Sequence, residues 1–157
     1  LFRSSFPALV SNNHREVNVG YSEFSITIPS INLAKAIVKV DSNDFEQQLA
    51  HLPGSALPGE RGNSFITGHS SLNQLFTQNN YKAIFANLPK IKKGDDILVI
   101  AGGTHYSYKV TGVRVVDPKE TWVVDPPDDS GRYLSLMTCV PPGLQTKRLI
   151  VLAKLAN

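Results

Sequence analysis

The sequence predicts a mainly-β domain, either a barrel or a sandwich, because strand-like segments and turn signals alternate along most of its length. The segment from Phe24 to Ile28 alternates apolar and polar side chains with the period of a half-buried strand, and Pro29 ends it. Pro-Gly pairs at residues 53–54 and 58–59 mark turns, and Gly102-Gly103 marks a hairpin. Between these signals there is room for one or two short helices.

The predicted strands are short and follow one another at close intervals. The glycines at 102–103 connect two of them as a hairpin, and the second strand of that hairpin is the longest. In chain order, the strands are predicted over residues 24–28, 33–40, 65–67, 97–100, 106–116, 134–139 and 149–155.

Two short helices are predicted between the strands. Asn43 or Asp44 can cap the first, which covers Phe45 to Ala50. The second is indicated between residues 70 and 93, where Asn80 is a suitable cap and Pro89 a stop. Its apolar residues recur at near-helical spacing and are expected to serve the core rather than a ligand: Leu75, Phe76, Tyr81, Ile84, Phe85 and Leu88.

The length of 157 residues predicts one domain that can bury a sizeable core. Residues 1–22 are polar and weakly patterned, and they are interpreted as an N-terminal arm or the remnant of a stalk. The folded domain is predicted over residues 23–157. Residues 117–130 are rich in Pro and Asp and are predicted to form a long loop, and such loops are often functional.

Composition excludes several classes of function. The net charge of +3 is mild and the basic residues are scattered, so no nucleic-acid partner is expected. The single cysteine rules out an internal disulfide. No apolar run approaches the roughly 20 residues of a membrane span, and the chain as given is expected to be soluble. No cofactor or metal is expected, although the loop residues Asp117, Asp125, Asp128 and Asp129 could gather Ca²⁺ if the prolines among them allowed an ordered ligand set.

The residues that point to chemistry are Cys139, Arg148 and His69. Each abuts a strand-like apolar run, and Arg148 follows Cys139 by nine residues. These are the residue types of a thiol nucleophile, an oxyanion donor and a proton-transfer partner, so they indicate acyl transfer. Without further context, Cys139 could equally be a small buried apolar residue, because free cysteines are among the most buried residues.

The context is a resemblance carried by two stretches of sequence. The first runs from His51 through two Pro-Gly pairs and Gly62-Asn63 to Thr67-Gly68-His69. The second runs from Tyr133 through Thr138-Cys139 and the Val-Pro-Pro-Gly linker to Arg148. In these motifs, and over residues 24–155 as a whole, the chain resembles the sortases, the cysteine transpeptidases of Gram-positive bacterial surfaces.

The resemblance implies an eight-stranded sortase-type β-barrel and a catalytic set of His69, Cys139 and Arg148. Cys139 would attack a sorting signal of the type Leu-Pro-x-Thr-Gly between Thr and Gly, forming a thioacyl enzyme. His69 would move protons to and from the amines, and Arg148 would hold the oxyanion or the substrate backbone. Thr138 matches a position thought to support the oxyanion through its backbone or its hydroxyl.

The partners implied by the resemblance are the sorting-signal peptide of a surface protein or pilin and an amine acceptor, either a peptidoglycan cross-bridge or a pilin lysine. An N-terminal membrane anchor, absent from this chain, would hold the domain at the extracytoplasmic face of the cell membrane. The spacing from Cys139 to Arg148 is closest to pilus-type (class C) or short accessory sortases, and the subclass stays open.

Several alternatives remain at this stage. A cysteine peptidase with the same residues would release the acyl group to water, and an inactive sortase-like domain would serve only as a binding module. Lys147 is an alternative cation to Arg148. Ser70 and Ser71 are interpreted as turn hydroxyls because no Gly-x-Ser-x-Gly motif occurs. Among the other histidines, His51 is predicted to be structural, and His14 and His105 are predicted to be exposed or half-exposed.

Overall fold

The structure is a computed structural model that describes residues 20–70, 77–78, 80–141 and 146–156. It confirms the mainly-β prediction and the strand number that the resemblance implied. The described residues also form short 3-10 turns at Pro29–Ile31, Leu88–Lys90 and Thr121–Val124. The eight strands are β1 (Glu23–Ile28), β2 (Leu33–Lys39), β3 (Leu49–His51), β4 (Gly62–Thr67), β5 (Asp96–Ala101), β6 (Thr104–Val116), β7 (Arg132–Val140) and β8 (Lys147–Leu155).

The strands form a closed barrel in the order β1-β2-β3-β4-β7-β8-β6-β5, and β5 returns to pair with β1. The pairs β2–β3 and β4–β7 are parallel, and the other neighbours are antiparallel. The parallel pair β4–β7 decides where the two chemical motifs meet. Because parallel strands run in the same direction, the segments that follow Thr67 and Met137 leave the sheet at the same edge.

The first predicted helix is wrong, and so is the described part of the second. Residues 46–48 form bends, and Leu49–His51 is strand β3, which pairs with β2 and β4. Residues 81–87 form turns that lead into the 3-10 turn at Leu88–Lys90. The apolar spacing that suggested a helix there comes from Ile84, Phe85 and Leu88, which irregular turns place in the barrel core. Leu75 and Phe76 lie outside the described residues.

Two apolar clusters hold the fold together. The larger fills the barrel interior and includes Ile66, Leu136 and Val151. The smaller, here called the outer cluster, covers the opposite face of β4, β7 and β8 and consists of Leu52, Phe65, Val123, Val124, Met137 and Ile150. The predicted loop over residues 117–130 supplies Val123 and Val124 through its 3-10 turn, so this loop is packed on the sheet rather than free of it.

The N-terminal arm predicted over residues 1–22 falls largely outside the described residues, which begin at residue 20. β1, the first strand of the described residues, starts at Glu23. Within the described part of the chain, no helix has the length and apolar character needed to cross a membrane.

His51 is a structural residue, as predicted, and it anchors the segment between β2 and β3. Its ring is fully buried: Nδ1 accepts from the Asp41 N–H at 3.2 Å, and Nε2 donates to the Ala56 carbonyl at 2.9 Å. Ser55 Oγ lies 2.9 Å from the same Nε2, and Asp41 Oδ1 lies 3.6 Å from Nδ1. This Ser-His-Asp arrangement cannot receive a substrate, because neither the serine nor the histidine is exposed to solvent.

Replacing His51 with Ala is expected to destabilise the protein by about 3 kcal/mol, because it leaves a cavity and unpaired buried backbone groups. Equilibrium denaturation in urea measures this change. His105→Ala is the matched control, since His105 is exposed on β6, and it should change the free energy of unfolding by less than about 1 kcal/mol. Equal effects of the two substitutions would show that His51 is not an anchor.

Candidate active site

The parallel ladder between β4 and β7 brings His69 next to Cys139. Thr67 and Met137 are Cα partners, so the next residues along both strands continue side by side. The Gly68 N–H donates to the Met137 carbonyl at 3.1 Å, and the Ser70 hydroxyl donates to the Cys139 carbonyl at 2.5 Å. Hydrogen bonds on both sides of His69 therefore tie its backbone to the strand that carries the cysteine.

Gly68 is required at this junction by close packing. A Cβ atom there would lie 2.4 Å from a methyl group of Leu49 and 2.8 Å from the ring of Phe85. The Phe85 N–H also donates to the His69 carbonyl at 3.0 Å, which fixes the chain from its other side. The glycine thus lets β4 end against the core with His69 held close to β7.

Arg148 lies directly across from Cys139. The two residues are Cα partners in the antiparallel pair β7–β8. Partners in such a pair have Cβ atoms about 5 Å apart on the same face of the sheet. That face also carries the outer-cluster residues Met137 and Ile150, because side chains alternate along each strand.

All three predicted catalytic side chains are buried. The exposed fraction is 0% for Cys139, 2% for Arg148 and 6% for His69. Lys147, the alternative cation, is half exposed and forms an ion pair with Asp117 on the surface. The cation opposite the thiol is therefore Arg148.

Thr138 points away from this face of β7. It is fully buried, and its hydroxyl donates to the Gly68 carbonyl at 2.8 Å. The hydroxyl thus ties β7 to the residue that precedes His69. Any contact of Thr138 with an oxyanion would have to come from its backbone rather than from this hydroxyl.

Burial controls the charge states of the three groups. It raises the pKa of the Cys139 thiol to about 11, and the positive charge of Arg148 only partly opposes this shift. Burial also lowers the pKa of His69 below its ordinary value, while the nearby Glu46 carboxylate opposes the change. Burial also lowers the pKa of Arg148, and the interaction with Cys139 opposes this decrease. At neutral pH the thiol and the imidazole are consequently both uncharged in most molecules.

Sequence reasoning missed two neighbours of His69 that lie on the segment between β2 and β3. The ring of Phe45 packs against the imidazole with 4.7 Å between ring centroids. Glu46 Oε1 lies 3.4 Å from His69 Nε2. The predicted helix over residues 45–50 concealed this contact, because consecutive residues of a helix do not share a face.

Two other polar candidates that the structure describes are His105 and Asp128. His105 is exposed, whereas His14 and Ser71 fall outside the described residues. Asp128 accepts hydrogen bonds from Tyr133 and from the backbone of Ser130 and Gly131, so it closes the turn before β7. Among the residues that the structure describes, no three His, Cys, Asp or Glu side chains are grouped so that they could hold a metal ion.

A groove of about 510 Å³ continues along the face of β7 and β8 that carries Cys139. Ser135, Ile150 and Leu152 form its floor, and these residues alternate with the interior-facing residues of the two strands. Trp122 and Pro126 of the loop before β7 form one wall. This groove is called the outer groove below.

A closed eight-stranded barrel that holds a buried thiol, an imidazole and a guanidinium at one end defines a class of β-barrel proteins with a cysteine centre. The Sortase domain family model matches residues 26–156. The chain belongs to the sortase family.

Individual relatives agree with this assignment. Sortase A of Bacillus anthracis is 30% identical over 137 residues, which cover 84% of this chain and 59% of that protein. The solved structure of a lid mutant of Sortase A from Corynebacterium diphtheriae has a TM-score of 0.75 at 31% identity, covering 87% of this chain and 71% of that one. The pilus-related Sortase C of Group B Streptococcus has a TM-score of 0.74 at 27% identity, covering 89% and 70%. The chain spans a little over half the length of the Bacillus relative.

Proposed function

We propose that this protein is a cysteine transpeptidase that cleaves a sorting signal of the Leu-Pro-x-Thr-Gly type between Thr and Gly and transfers the acyl group to an amine. The observation that carries the proposal is the arrangement of Cys139 opposite Arg148, with His69 just after the end of the parallel strand β4. All three side chains are buried, and Cys139 and Arg148 lie on the same face of β7 and β8 as the floor of the outer groove. Membership of the sortase family supports the same activity.

In the first half of the reaction, the Cys139 thiolate attacks the threonine carbonyl carbon and the carbonyl oxygen becomes an oxyanion. Arg148 donates hydrogen bonds to that oxyanion from a guanidinium that keeps its charge at any physiological pH. The C–N bond then breaks, and the imidazolium of His69 gives its proton to the departing glycine amine. A thioester on Cys139 and a neutral imidazole remain.

The second half reverses these steps with a different amine. The incoming amine attacks the thioester carbonyl while His69 accepts its proton, and the thiolate leaves as the new amide forms. Thr138 supports both halves indirectly, because its hydrogen bond to Gly68 fixes the chain that leads into His69. No cofactor takes part in either half.

The charge states predict the pH dependence of the reaction. When the fully protonated Cys139–His69 pair loses one proton, two states coexist: thiol with imidazole, which predominates, and thiolate with imidazolium, which is a minor fraction. The ratio of these two states does not change with pH. This proton leaves at the pKa of His69, which burial lowers, and the second leaves near the thiol pKa of about 11. We therefore expect kcat/KM to rise through the lowered pKa of His69, to stay level across neutral pH and to fall only in strong alkali.

Two experiments measure both pKa values: steady-state ligation kinetics across this pH range, and a titration of the ultraviolet absorbance of the thiolate. The signal of Cys139→Ala is subtracted from the titration. The absorbance should rise only well above pH 8. A thiolate signal already complete at neutral pH would mean that the ion pair is the resting state, and it would contradict the charge states given above.

The outer groove supports a peptide that approaches Cys139 along β7 and β8. Its apolar floor of Ile150 and Leu152 and its wall of Trp122 and Pro126 suit an apolar residue and a proline upstream of the scissile bond. On β7, Met137 of the outer cluster lies between Ser135 of the groove and Cys139 on the same face. The groove thus fits the leucine and proline of the proposed signal.

The partners follow from the proposed reaction. The acyl donor is the sorting signal of a surface protein or pilin, and the acceptor is the amine of a peptidoglycan cross-bridge or of a pilin lysine. The enzyme would meet these partners at the extracytoplasmic face of the cell membrane, where an N-terminal anchor would hold the domain. The similarity to the pilus-related Sortase C is about as strong as the similarity to Sortase A, so the comparisons favour neither subclass.

Intact-protein mass spectrometry of the chain mixed with a Leu-Pro-x-Thr-Gly peptide library tests the proposal. A mass increase equal to the acyl fragment, discharged into a ligated peptide when an amine is added, is the expected result. Discharge to free acid alone, at the same rate with and without amine, would identify a cysteine peptidase instead. The absence of any adduct across the library would favour a sortase-like binding module.

A further inference from the structure

The second neighbour of the His69 ring, Glu46, has no part in the reaction described above. Its carboxylate oxygen lies 3.4 Å from Nε2 of His69, within ion-pair distance although longer than a strong hydrogen bond. The side chain of Glu46 is about half exposed, whereas His69 is buried on its other sides. The glutamate therefore approaches the imidazole from its solvent side.

The segment between β2 and β3 holds Glu46 in this place through a series of hydrogen bonds. Ser42 donates its N–H to the carbonyl of the buried His51 at 2.9 Å. The N–H of Asp44 donates to Ser42 Oγ at 3.0 Å, and the N–H of Glu46 donates to Asp44 Oδ1 at 3.2 Å. The backbone of Glu46 is thus connected to the barrel by three successive bonds.

Phe45 fixes the same segment from the core side. Its side chain is 7% exposed, and its ring is tilted by 44° against the imidazole. Because the segment is bent rather than helical, Phe45 and Glu46 can both contact His69: the Phe45 ring packs against the imidazole and the carboxylate lies near Nε2. Together they restrict both the tilt and the rotation of the histidine.

We propose that Glu46 is a positioning residue of the active site: its carboxylate, held by the segment between β2 and β3, engages Nε2 of His69 and orients the ring against Cys139. This inference rests on the proposed function, since it concerns the histidine assigned there as acid and base. A hydrogen bond at one ring nitrogen sets the tautomer and leaves the other nitrogen to exchange the proton. The reacting nitrogen is then Nδ1.

The charged and titratable groups around His69 come from four elements. Glu46 and Asp44 face it from the segment between β2 and β3, and both favour the imidazolium. Lys82, from the turns after Asn80, opposes them. Cys139 and Arg148 approach from β7 and β8. Of these groups, Glu46 acts most strongly in favour of the protonated ring, and only burial has a larger effect.

Glu46→Gln tests the proposal, because it keeps the size and the exposed position of the side chain but removes its charge. We expect the pKa of His69 to fall by about half a unit to one unit. The reactive thiolate–imidazolium fraction falls by the same factor, so kcat/KM at neutral pH should drop about three- to tenfold. The acid limb of the pH profile should move to lower pH by the same interval.

Two measurements decide the outcome: NMR titration of the His69 ring, assigned with His69→Ala, and the pH profile of ligation. Asp44→Asn is the matched control, since it removes one negative charge from the same segment and can still accept the hydrogen bond from Glu46. Asp44→Asn should change the pKa of His69 and the acid limb of the ligation profile much less than Glu46→Gln does. An unchanged His69 titration in Glu46→Gln, or activity above that of the wild type, would overturn the positioning role.

His69→Ala separates this inference from the proposed function. If His69→Ala ligates peptides at the wild-type rate, the assignment of His69 as acid and base is wrong, and the role of Glu46 falls with it. If His69→Ala is inactive while Glu46→Gln shows the wild-type titration and the wild-type acid limb, only the role of Glu46 is refuted.

Discussion

Replacing Cys139 with Ala is expected to lower the rate of peptide ligation by at least about 10⁴-fold, because no other group can form the acyl intermediate. The chain contains no second cysteine. Two neighbouring hydroxyls are engaged with backbone: Ser70 donates to the Cys139 carbonyl, and Thr138 donates to the Gly68 carbonyl. The variant should bind the sorting peptide and give no covalent adduct.

The same variant should fold normally. Removing a buried sulfur atom leaves a small cavity and is expected to cost about 1 kcal/mol, which thermal unfolding by circular dichroism measures. Cys139→Ser is the matched control: it restores the volume but places a poor nucleophile opposite Arg148. A folded Cys139→Ala that still ligates peptides at more than about a hundredth of the wild-type rate would show that the reaction does not pass through Cys139.

Arg148→Lys is expected to lower kcat/KM by about 10²- to 10³-fold. A lysine at this position loses the fork of donors that can span an oxyanion. It would also be buried as deeply as the 2% exposed arginine, and burial lowers the pKa of an ammonium far more readily than it neutralises a guanidinium. Both losses act on the same face, next to the thiol.

Ligation kinetics of Arg148→Lys alongside Lys147→Ala separate the role of the buried cation from that of net charge. Lys147 precedes Arg148 on β8, but its side chain is half exposed and pairs with Asp117. Exposed ion pairs contribute little, so Lys147→Ala should keep kcat/KM within about threefold of the wild type. Comparable losses in the two variants would place the oxyanion donor elsewhere.

The strand pattern was largely predictable for two reasons. β4, β7 and β8 contain short apolar runs, whereas β1, β2, β5 and β6 each bury one face. The alternation in Phe24–Ile28 is an example, and β1 occupies those residues with one further residue at its start. β3 gave no such signal, since Leu49, Ala50 and His51 are all buried and the strand has three residues. The capping signals of Asn43 and Asp44 then favoured a helix, whereas Asp44 actually closes a turn by accepting from the Glu46 N–H.

The sequence named three candidate catalytic residues but not their surroundings. These are His69, Cys139 and Arg148: Cys139 and Arg148 are partners on β7 and β8, and His69 follows the end of β4, which pairs with β7. Glu46 could not have been found this way, because its contact with His69 depends on a pairing between β2 and β3 that no local pattern reveals. The same holds for the outer cluster, which joins the loop before β7 to a face of the sheet.

The position of β8 has a consequence for how the protein is made. β8 is the last strand in the sequence, yet in the barrel it lies between β7 and β6. Before β8 has left the ribosome, β6 and β7 each have an edge without its partner strand. The chain at that stage also lacks the arginine that lies opposite the thiol. The barrel therefore closes, and a guanidinium comes to lie opposite the thiol, only after β8 has been made, so that a nascent chain without β8 holds Cys139 without Arg148.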